Sequence, residues 1–133
     1  MGLIELPKPE TRRRPMSPAE PFPLPRDSGG TALLWRQDGR DRRMNWAELD
    51  GRMSAFAAEV RARLCPRPLL LIEASNRPGP VIAYLAALRE GWPVILTAPG
   101  GAGPDSEIRR RFAPNGLVGA ASEPDDPAGW VLR

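Results

Sequence analysis

The sequence predicts an α/β protein: a parallel, three-layer-type βαβαβ sheet fragment preceded by a short β-hairpin and a helix. Three observations carry that expectation. "LLLIE" (69–73), "PVILT" (93–97) and "GLVGA" (116–120) are short apolar runs of strand length, as in a buried parallel sheet. The segments between them read as helices, which makes each connection a crossover to a parallel neighbour. Upstream, Asp38-Gly39 is a hairpin signal, because Gly supplies the positive φ that a tight turn needs.

In chain order, residues 1–30 come first and hold seven of the 17 prolines. Proline removes a backbone donor and pushes its neighbour toward extended shapes, so a tail without regular structure is expected. Residues 31–36 and 42–44 are the expected hairpin strands. Asn45 then reads as an N-cap, with Glu48 three residues later as in a capping box. Trp46, Leu49, Met53, Phe56, Val60 and Leu64 recur at helical steps, with Ala57 on the same face. Pro66 and Pro68 stop that helix. A second helix, about 79–90, places Val81, Leu85, Leu88 and Trp92 along one ridge. Its Ala83, Ala86 and Ala87 are small enough for close approach to a sheet, and Gly91 is a natural stop. "PDSEIRRRFAP" reads as a short helix with Asp105 or Ser106 near its start. Residues 122–133 are turn-rich, with a short strand at 130–132. The domain plan is therefore a tail (1–30), an α/β unit (31–121) and a second tail (122–133).

Composition excludes several chemistries. There is no histidine, so neither a Ser-His-Asp nor a Cys-His site can be built from this chain. Cys65 is the single cysteine, which forbids an internal disulfide and fits a reducing cytoplasm. Net charge is +3, with 19 basic residues of which only Lys8 is lysine. The arginines are scattered among 16 acids, and "RRR" at 12–14 and 109–111 lacks the aromatic or motif support of a nucleic-acid surface. No nucleic-acid partner is expected. No apolar run is long enough to span a membrane, and the N-terminus lacks the order of a signal peptide.

Two loops are candidates for ligand binding. "APGGAG" (98–103), with Gly100 and Gly101, joins a strand to a helix, where backbone N–H groups can hold an anion. It lacks the third glycine of a dinucleotide fingerprint and the Gly-Lys-Ser/Thr of a P-loop, so a plain connector is the simpler reading. "EASNRPG" (73–79) lies at the carboxyl end of a strand, where α/β proteins place ligands. Glu73, Ser75, Asn76 and Arg77 carry polar groups suited to a substrate; the simpler role for Ser75 or Asn76 is to cap the next helix. Asp125 and Asp126 are adjacent and make a poor metal pair, and no metal or catalytic residue is expected.

Taken together, "TALLWRQDGRDRRMNWAELDGRMSAFAAEVRARL" and "LLLIEASNRPGPVIAYLAALREGWPVILTAPG" resemble the opening of the AMP-forming acyl-CoA synthetase and adenylation-domain superfamily. That family opens with a hairpin, an aromatic-x-Glu-Leu entry to an alanine-rich helix, a strand with an Asn-containing loop, and a strand ending in Pro. "SEIRRRFAPNGLV" is similar to its next helix and strand. The resemblance spans about residues 31–120. It implies a full-length enzyme that uses ATP and Mg to form an acyl-adenylate and passes the acyl group to CoA or a carrier thiol. The family's Ser/Thr/Gly-rich phosphate loop with its Lys would lie beyond this region, and no catalytic residue carries over. The chain is thus expected to be an N-terminal subdomain or truncated form, inactive and without a cofactor by itself. Its expected partner is the ligase remainder or a complementing chain, with self-association through exposed apolar faces. The alternatives are a stand-alone α/β interaction module and a small-ligand binder.

Overall fold

The computed structural model describes residues 29–121 and 129–133. The proline-rich tail as far as residue 28, the arginines at 12–14, the turn-rich stretch 122–128 and the Asp125-Asp126 pair lie outside the described residues. The described part is mixed α/β, with three helices, a two-stranded antiparallel sheet and a four-stranded, mostly parallel sheet.

The hairpin pairs β1 (Thr31–Gln37) with β2 (Arg40–Asn45). Its turn residues Asp38 and Gly39 have φ of 51° and 74°, the mirror-image turn that matches strand twist. Both strands run further toward the turn than the pattern predicts, because the two-residue turn lets Gln37 pair directly with Arg40.

Helix α1 (Trp46–Arg63) starts where Asn45 predicts: the Asn45 side chain accepts the Glu48 N–H at 2.7 Å. Leu49, Met53, Phe56, Ala57 and Val60 are buried, while Trp46 and Leu64 pack only partly against the core. Burying each larger side chain contributes about 1.5–3 kcal/mol.

β3 (Leu70–Glu73), β4 (Val94–Thr97) and β5 (Gly116–Ala120) form the parallel part of the sheet, in the order β4-β3-β5. α2 (Pro78–Glu90) makes the first crossover and α3 (Glu107–Phe112) the second. The chain steps from β3 to one side, then returns across it to β5. With right-handed crossovers, that reversal places the two helices on opposite faces. In agreement, Arg109 of α3 lines one cavity with Glu73, Leu117 and Arg133, whereas α2 packs over β3 and β5 from the core side.

α2 approaches the sheet through its small residues, as their size suggests. Its buried side is Ile82, Ala83, Ala86 and Ala87, whereas the ridge of Val81, Leu85 and Leu88 is half-buried, with Leu85 packed against the core. The three alanines bring α2 against α1 and β5, with Ile82 buried beside them. Trp92 lies beyond the helix but is buried in the same core.

The segment at 130–132 forms β6 (Trp130–Leu132), which pairs antiparallel with β5 in the same sheet. Trp130 stacks edge-on against Phe56 of α1 at 5.4 Å and donates its Nε1–H to Glu59 at 2.8 Å. α2 comes so close to this segment that a Cβ at Gly79 would run into the carbonyl oxygen of Gly129. Arg89 of α2 completes the helix pairing, meeting Asp50 at 2.5 Å and Ser54 Oγ at 3.1 Å.

Gly79→Ala is expected to lower stability by about 1–3 kcal/mol, the usual range for overpacking. Gly51→Ala, on the exposed face of α1 where a Cβ meets nothing, is expected to raise it by about 0.5–1 kcal/mol. Urea unfolding followed by circular dichroism measures both, and equal shifts for the two variants would contradict the close approach of α2 to Gly129.

Candidate functional site

The sheet orders its loops before any chemistry is considered. The carboxyl ends of β3 and β4 release the "EASNRPG" and "APGGAG" loops side by side, as their in-register pairing from Leu70–Val94 to Glu73–Thr97 requires. The two loops nevertheless face different cavities.

The first cavity, about 510 Å³, lies between the hairpin and the β3–α2 loop. β1 contributes Leu33, Leu34, Trp35 and Arg36. The loop contributes Ser75, Asn76 and Arg77, and α2 adds Pro78 and Val81. Three of the five predicted ligand residues are thus brought together, against a wall that sequence reasoning did not connect with them. The hairpin side was missed because no local pattern specifies which loop a hairpin will face.

The second cavity, about 470 Å³, lies on the opposite face of the sheet and is lined by Gly100, Gly103, Glu73, Arg109 and Arg133 among others. The glycines here hold the loop in shape. The Gly100 N–H donates to Glu73 Oε2 at 3.2 Å, and the Gly101 N–H donates to the Ala98 carbonyl at 2.9 Å. Gly100 has φ of 82°, and a Cβ at Gly101 would run into Thr97 Oγ1. Both residues are therefore required by the turn, and both amides are occupied. A carboxylate sits where a phosphate oxygen would need to be, which disfavours an anion. Asn115, on the same cavity, is also structural: its side chain accepts the Leu69 N–H, and its own N–H donates to the Leu69 carbonyl, each at 2.8 Å.

Ser75, Asn76 and Arg77 differ in kind. The N-cap of α2 is Arg77, with no side-chain cap bond, so neither Ser75 nor Asn76 has the capping role that the sequence offered them. Capping belongs instead to Asn45 on α1 and to Ser106 on α3, where Ser106 Oγ accepts the Arg109 N–H at 3.2 Å. Ser75 Oγ is buried without a hydrogen-bond partner. Among the described residues, Asn76 and Arg77 have no side-chain partner either.

Among the described residues, no cluster of three or more His, Cys, Asp or Glu is placed to hold a metal ion. None of the described helices is long and apolar enough to cross a membrane. No protein-family model and no curated protein matches the chain.

Because both glycine amides are already bonded, millimolar phosphate is expected to leave the Gly100 and Gly101 signals unmoved in ¹H–¹⁵N spectra. A saturable shift of either signal would reverse this reading of the loop.

Proposed function

We propose that the chain is the N-terminal α/β subdomain of an AMP-forming ligase, a scaffold layer without adenylation chemistry of its own. The observation that carries this reading is the order of elements: a tight hairpin, an Asn45-capped helix, then β3-α2-β4-α3-β5 in a parallel sheet. It matches the order of the segments by which the sequence resembles that superfamily. The uneven cover of the sheet supports the same reading. One face carries the α1–α2 pair and the main core, whereas α3 on the other has no buried residue. Such a layer is suited to receive further chain, either the ligase remainder or a complementing chain. In the complete enzyme, ATP, Mg and CoA or a carrier thiol would bind largely outside this layer. A cytoplasmic location goes with that chemistry and with the single Cys65.

The purified chain is expected to give no acid-dependent ATP–pyrophosphate exchange; measurable exchange would overturn the scaffold reading. The family assignment is tested in the genomic DNA after the Arg133 codon. An in-frame Ser/Thr/Gly-rich loop followed by Lys is expected, and a stop codon followed by an unrelated gene would refute it.

A second reading, a stand-alone interaction module, is favoured by an edge of the sheet that has no pairing strand among the described residues. β4 is an edge strand, and its Leu96 is 52% exposed. On that reading the chain self-associates through β4, and Leu96→Lys shifts it toward monomer in light scattering. An unchanged mass for the variant would rule out β4 as the contact.

A further inference from the structure

Four consecutive residues of β1, Leu33, Leu34, Trp35 and Arg36, line the cavity beside the β3–α2 loop. Successive side chains of a strand point to opposite faces, so what four in a row present together is the edge of the strand. Among the described residues β1 pairs on one side only, with β2. The two-residue turn makes Gln37 and Arg40 a hydrogen-bonded pair, and such pairs alternate along an antiparallel ladder. Gln37, Trp35 and Leu33 therefore turn their backbone groups toward β2. Leu34 and Arg36 turn theirs toward the cavity, where no strand or backbone bond among the described residues meets them. The Leu34 side chain is 64% exposed, on the face of β1 away from Leu33 and Trp35, which pack against the core. An unpaired edge with an exposed leucine is a template for one more strand.

The chain carries a segment of matching form just upstream. Residues 21–25 read Pro-Phe-Pro-Leu-Pro. The prolines alternate, so in an extended backbone the three missing N–H groups all fall on one edge. The other edge carries the complete N–H and C=O groups of Phe22 and Leu24. Proline is admitted at a sheet edge when its nitrogen faces outward, and this spacing meets that condition on one side only. Residues 26–30, between the segment and β1, read Arg-Asp-Ser-Gly-Gly, the composition of a turn. The chain does turn at Gly29-Gly30 as it enters β1. A connection of this length suits an antiparallel return.

We propose that residues 21–25 pair antiparallel with the cavity-facing edge of β1, as a third strand of the hairpin sheet, with Leu24 opposite Leu34 and Phe22 opposite Arg36. Opposite residues share a face, so Leu24 covers the exposed Leu34, and Pro23 meets Trp35 on the other face. The outward edge of the segment then offers carbonyls alone. Across the cavity stand Asn76 and Arg77, whose side chains carry donors and have no partner among the described residues. The proposal stands on the edge of β1 and the spacing of the prolines, and does not rest on the ligase reading.

Hydrogen exchange and nuclear Overhauser contacts in the full chain test it. The Leu34 and Arg36 amides are expected to exchange about tenfold or more slowly than in a variant carrying Phe22→Pro and Leu24→Pro, which removes the two donors aimed at β1. Pro23→Ala, which alters only the outward edge, is expected to leave the protection in place. Unchanged exchange at Leu71 and Ile72 shows that each variant keeps its fold. The register places the Hα atoms of Pro23 and Trp35 in contact, a signal that decides the matter in the parent chain if the double variant is unstable. Free exchange of Leu34 and Arg36 in the parent would overturn the proposal and leave the edge to another chain. So would protection that survives the two prolines. Protection lost on tenfold dilution would assign the edge to a second copy instead.

Discussion

Leu70, Leu71 and Ile72 are consecutive residues of one strand, and all three are withdrawn from water. Successive side chains of a strand point to opposite faces, so β3 needs cover above and below at once. That requirement organises the rest of the molecule. It places β3 in the sheet interior between β4 and β5, where both of its backbone edges are paired. It also requires helices on both faces, which a chain of this length supplies by reversing direction after β4.

The two faces are covered in different ways. On the side of Leu70 and Ile72, cover is made by close packing. The alanines of α2 and a glycine-to-glycine approach at Gly79 draw the helix onto the sheet, and the Phe56–Trp130 contact ties α1 to the last strand. Charged groups at the rim, Arg89 with Asp50 and Arg61 with Glu90, join α1 and α2 without entering the core. Pairs as exposed as these add little stability, so the orientation of the helices is set mainly by the apolar contacts. On the side of Leu71, the neighbouring Ile95 and Leu117 remain partly exposed, and α3 buries none of its side chains.

Much of this was legible in the sequence because it depends on local chemistry. Asp38-Gly39 fixed the hairpin, Asn45 the start of α1, Gly91 the end of α2, and the apolar runs the three parallel strands. What was not legible depends on partners distant in the chain. The alanines of α2 were recognisable as a close-approach surface, but how far the Val81, Leu85 and Leu88 ridge would be covered could not be read from periodicity. That cover is set by the distance to β5 and α1. The place of β6 in the sheet likewise depends on the exposed edge of β5, since three residues carry too little pattern to announce it. The candidate site shows the same division. Ser75, Asn76 and Arg77 were recognisable from their place after a strand, but the opposing wall of Leu33, Trp35 and Arg36 comes from a hairpin roughly forty residues earlier.

The contrast between the two loops at the carboxyl end of the sheet turns on what their polar groups are already doing. In the glycine loop, donors that suit an anion are used internally, by Glu73 and by the turn itself. Its composition suggests binding, but the amides of Gly100 and Gly101 are already bonded. In the β3–α2 loop the opposite holds: the composition is that of an ordinary turn and cap, yet the cap lies elsewhere and the side chains lack partners. A side chain that lines a cavity without a partner among the described residues, as at Asn76 and Arg77, is more informative than a flexible loop. Glycine answers a demand of the backbone, whereas a guanidinium beside a cavity, without a partner among the described residues, leaves bonds to be made. For that reason the site is placed at Ser75–Arg77 and not at Gly100-Gly101.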